Sequence, residues 1–73
     1  MKIVLHCTDK GVNVEAFMLN HKKGVFLEAA INTIKLRLSY LEQTKAYVGS
    51  MSGLEFVIRE EDVPGEHRKE YSR

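Results

Sequence analysis

The chain has 73 residues, 44% hydrophobic and 29% charged, with 11 basic residues against 10 acidic ones and a net charge of +1. That length holds one domain with a marginal core, since a chain of about 60 residues buries only about 60% of its unfolded surface. A single cysteine excludes an internal disulfide, and near-neutral charge excludes wholesale electrostatic attraction to nucleic acid.

No apolar run approaches the roughly 20 residues that span a bilayer. His6, Thr8, Asp9 and Lys10 end the first apolar run before a signal-peptide core can form. The expected location is the cytoplasm. Cys7, His6, His21 and His67 do not fall at a zinc-site spacing, so neither a metal nor a cofactor is expected. Small domains without disulfides or metals gain stability by oligomerising, which makes a homo-oligomer the expected state.

Residues 2–8 alternate Ile3, Leu5 and Cys7 with Val4, His6 and Thr8, the pattern of a central strand. Thr8-Asp9-Lys10-Gly11 is a turn, with glycine able to take a positive φ. Residues 12–19 alternate as a second strand. A helix capped by Asn13 and ended by Gly24 also fits them, but the preceding hairpin turn favours the strand. A polar loop, 20–24, carries His21, Lys22 and Lys23.

From Phe26 to Val48, Leu27, Ala30, Ile31, Ile34, Leu38 and Leu41 recur at steps near three and four with no Gly or Pro. That spacing predicts one long helix, ended by Gly49. Residues 50–53 form a link, 54–59 a last strand, and 60–73 a polar tail with a Pro64-Gly65 turn. The predicted fold is α+β. Residues 1–59 form one ββαβ domain, whose three-stranded antiparallel sheet, order 2-1-3, packs on the helix. The alternative, with a helix over 12–23, is βααβ.

Wound as a helix, residues 26–48 carry a second apolar stripe of Ala29, Leu36, Tyr40 and Tyr47 that one small sheet cannot cover. Contiguous apolar surface marks an interface, so this stripe is a candidate for self-association or a protein partner. The outer sheet face, with Val4, Phe17, Leu19 and Val57 around His6, is a second candidate.

Lys2, His21, Lys22, Lys23 and Arg59 all fall at one end of the predicted sheet, beside the helix N-terminus. Basic side chains with free backbone amides suit a phosphate or other small anion. His67, Arg68, Lys69 and Arg73 of the tail could join them. No catalytic constellation is visible. Cys7 and His6 point to opposite faces of a strand. Glu60, Glu61 and Asp62 form a solvated run, and residues 49–53 lack the lysine and hydroxyl of a phosphate loop.

The expected function is a non-enzymatic binding or regulatory protein acting as a homo-oligomer on a protein or small anionic ligand. Inhibitors carried by phages and mobile elements are of this type. One alternative is nucleic-acid binding through the basic end. Another is a small oligomeric enzyme with its site between subunits. No membrane role is expected.

Overall fold

The computed structural model describes residues 1–64. It is all-β: six strands close into one antiparallel barrel in chain order. They are β1 (Lys2–Cys7), β2 (Val12–Lys22), β3 (Phe26–Ile31), β4 (Ile34–Leu41), β5 (Ala46–Met51) and β6 (Leu54–Arg59). A single 3-10 turn, Glu60–Asp62, is the one helical element among the described residues. The α+β fold with its long helix is therefore overturned, and so is the βααβ alternative.

Three predicted segments are strands in the barrel: β1, β2 and β6. β1 lies between β2 and β6, antiparallel to both. The error lies in residues 26–48, which form β3, β4 and the start of β5.

The cause is arithmetical. A strand turns every second residue inward, so residues four apart share its inner face. Leu27 and the half-buried Ile31 lie on the inward register of β3, and Ile34 and Leu38 on that of β4. The turn Asn32-Thr33 between them adds a step of three, and the sum imitates a helical stripe. The supposed second stripe is the remaining inward set. Ala29, Leu36 and Tyr47 are buried in the core and Tyr40 packs against it, so none of the four forms an open helix face.

The turn carries no local sequence signal, because it contains neither Gly nor Pro. Asn32 takes a φ of 60°, a left-handed conformation that asparagine tolerates better than most residues. In the next loop Lys45 does the same at 54°, and its N–H donates to the Leu41 carbonyl at 2.8 Å. The Thr8–Gly11 loop is built alike, with Gly11 at a φ of 67° donating to the Cys7 carbonyl at 2.8 Å.

Gly49 does not cap a helix. It sits where β5 passes close against β4, and a Cβ there would lie 2.5 Å from the Arg37 carbonyl oxygen. Only glycine lets the two backbones approach so closely.

The interior is filled. Ile3, Leu5 and Cys7 of β1 meet Ala16, Leu27, Leu38, Phe56 and Ile58. Val63, beyond the last strand and 1% exposed, belongs to the same core, so the domain does not end at residue 59. The charged residues of the strands face outward, the reverse of a lipid-spanning barrel. No helix of the described residues is long and apolar enough to cross a membrane.

Candidate functional site

Two features stand out: a polar network at one end of the barrel, and the outer surface along β6, β1 and β2.

The network begins with a bulge. In β2 the register to β3 shifts between Met18 and Asn20, leaving Leu19 unpaired. Without the extra residue, His21 would point outward with Phe17. With it, His21 turns inward, a common use of a bulge. Its Nε2 lies 2.9 Å from the Tyr47 hydroxyl at the start of β5. The Gly24 N–H donates to the same oxygen at 3.0 Å. The hydroxyl donates to Oε1 of Glu60, in the 3-10 turn.

A phenol has one proton and two lone pairs. The proton goes to the Glu60 carboxylate, so both other contacts are accepted by Tyr47. His21 must then carry a proton on Nε2. Glu60 Oε2 is buried without a hydrogen-bond partner among the described residues. Burial first, and the Glu60 carboxylate second, push the Tyr47 pKa well above its ordinary value. The network fastens the β2–β3 hairpin, β5 and the 3-10 turn to one another.

The predicted anion cluster is dispersed by this arrangement. Lys2, His21, Lys22, Lys23 and Arg59 do lie at one end of the barrel, but no long helix opens there. His21 is drawn inside, its side chain 9% exposed. Lys2 pairs with Glu15 at 3.8 Å. Arg59 pairs with Glu61 and, at 3.7 Å, with Asp62. Lys22 ends β2 and Lys23 lies in the β2–β3 turn. His67, Arg68, Lys69 and Arg73 lie outside the described residues.

The other singled-out groups are also engaged. Cys7 is buried in the core, and His6 points outward with Nδ1 2.9 Å from Asn13 Oδ1. Glu60 turns inward while Glu61 and Asp62 turn to Arg59, so the three acids do not converge. Among the described residues no three His, Cys, Asp or Glu side chains are placed to hold a metal.

The outer surface is different. Lys2 lies opposite Phe17 and Val4 opposite Glu15, which makes Val4 and Phe17 diagonal neighbours across β1 and β2. His6 lies opposite Val57, which brings Val57 diagonal to Val4. Leu19 continues the line beyond Phe17. Val4, Phe17 and Leu19 are 50%, 54% and 51% exposed. An apolar diagonal thus crosses β6, β1 and β2, bordered by Lys2, Glu15 and His6.

Beside it runs a groove of about 620 Å³ between β1 and β6, walled by Lys2, Val4, His6, Val57, Arg59 and Asp62. The bulge and this groove were not legible in the sequence. The apolar line was, because alternation alone puts Val4, Phe17 and Val57 on outward positions.

No family model, curated protein or solved structure matches this chain.

Proposed function

We propose that this chain is a small non-enzymatic binding protein that self-associates through the outer face of β6, β1 and β2. The observation that supports it is the exposed diagonal of Val4, Phe17 and Leu19. Large side chains clustered in water at adjacent positions gain by being covered. Pairing of Lys2 and Arg59 with carboxylates favours a protein partner over a small anion. A cytoplasmic location belongs to this reading, in keeping with the single, buried thiol.

Native mass spectrometry across a dilution series tests it. The expected result is a multimer that dissociates on dilution. Phe17→Glu, and separately Leu19→Glu, should shift it to monomer by at least about tenfold in dissociation constant, with thermal stability unchanged. A monomer at every concentration would overturn self-association.

A further inference from the structure

We propose that the outer face of β2, β3 and β4 binds single-stranded nucleic acid, with Arg37 as a platform for one base and Lys22 and Lys35 as phosphate contacts. β4 stands three strands from β1 in either direction around the barrel. The face therefore lies apart from the apolar diagonal, and its binding does not depend on self-association.

Charge points to a polyanion. The near-neutral total hides a division. Residues 20–41 carry Lys22, Lys23, Lys35 and Arg37 against Glu28 alone, whereas the other described residues carry four bases and seven acids. A local excess of basic residues on one face attracts phosphate even where the net charge is small. Among the described residues no carboxylate pairs with Lys22 or Lys35, and both are exposed. Lys2 and Arg59, by contrast, are held by Glu15 and by Glu61 and Asp62.

Strand register places the cations in one line. Lys22 of β2 lies opposite Phe26 of β3, and Glu28 and Ala30 of β3 lie opposite Arg37 and Lys35 of β4. The alternate residues Leu27, Ala29, Leu36 and Leu38 fill the interior, so this set points outward. From Lys22 to Lys35 the line runs about 13 Å along the strands and about 10 Å across them, with Arg37 between.

Arg37 gives the line its selectivity. Its guanidinium carbon lies 4.2 Å from the Phe26 ring centroid, and Nη1 donates to Glu28 Oε2 at 3.3 Å. The ring beneath and the carboxylate at one side hold the flat cation, yet the side chain stays 61% exposed. Unpaired bases stack on guanidinium planes, and bases paired inside a duplex cannot reach one. An acidic peptide or an anionic lipid surface would meet the lysines but bring no base to Arg37. The ligand that fits has phosphates on both sides of an unpaired base.

The test titrates the full chain into labelled single strands of about twelve nucleotides, oligo-dT and oligo-U, and follows anisotropy. Two phosphate contacts predict a slope of about −1.4 in log affinity against log salt, so binding should weaken roughly sevenfold between about 50 mM and about 200 mM salt. Lys22→Glu combined with Lys35→Glu should weaken binding at least about tenfold and flatten that slope. Arg37→Lys keeps the charge and loses the plane, so it should weaken binding at least about fivefold with the slope unchanged. All three positions are exposed, and circular dichroism of each variant should match the parent. Tighter binding of either oligonucleotide supports the proposal and identifies the sugar.

Absence of binding to both strands at about 50 mM salt would overturn it, as would an affinity that ignores salt. Equal affinity for a duplex or for base-free polyphosphate would show a general polyanion surface and overturn the role of the base. Unchanged affinity in a folded Arg37→Lys variant would do the same.

Discussion

Tyr47 is the residue on which the barrel end depends. Removing its hydroxyl strands a buried carboxylate, the Gly24 N–H and His21 together. Tyr47→Phe should therefore cost about 2–3 kcal/mol in urea denaturation, the range for hydrogen bonds to charged groups. The same residue sets an alkaline limit. Its folded pKa lies above the ordinary value of 10.0, because burial and Glu60 both oppose the phenolate. The resulting stability is complete below that ordinary value and is lost as pH rises above it toward the folded pKa. Unfolding free energies at about pH 9 and about pH 11 should fall more steeply in the parent chain than in Tyr47→Phe. Equal slopes would mean that Tyr47 ionises as readily in the fold as outside it.

At the scale of elements, β5 can lie against β4 only because position 49 has no side chain. Gly49→Ala places a methyl 2.5 Å from the Arg37 carbonyl oxygen, where neither backbone can yield without breaking the ladder. A loss of about 2 kcal/mol or more is expected, at the upper part of the range for overpacking. An unchanged midpoint in thermal melting would show that the crossing is looser than its geometry. The strands themselves were half legible. β1, β2 and β6 alternate over runs bounded by Gly11 and Gly53, so periodicity and turn chemistry agree. β3 and β4 alternate as clearly, Ile34, Leu36, Leu38 and Tyr40 against Lys35, Arg37 and Ser39. A two-residue turn without glycine hid the boundary between them. The excess of apolar surface on the supposed helix was the sign of the error: a barrel interior collects inward residues from every strand, and one helix cannot hide them all.

For the whole molecule, the segment after the last strand completes the core. Val63 fills the barrel interior although its neighbours Glu61 and Asp62 are exposed. Val63→Ala should cost about 2 kcal/mol, from lost burial plus the cavity left behind. A chain ending at Arg59 also loses the Glu60 bond to Tyr47, and a domain of marginal stability should then melt well below the full chain. Circular dichroism melting of both would show it. If the shortened chain melted with the parent, the 60–64 segment would be an ornament on a barrel already complete.

The sequence by itself determined the lack of an internal disulfide, the three strands of the β6–β1–β2 run and the apolar diagonal on their outer face. These follow from composition and from alternation within one strand, which is local. Only the tertiary structure decided the barrel, the inward turn of His21, and the meeting of His21, Tyr47 and Glu60. Each depends on register between strands far apart in the chain. A one-residue bulge changes register and leaves no mark in local hydrophobic period.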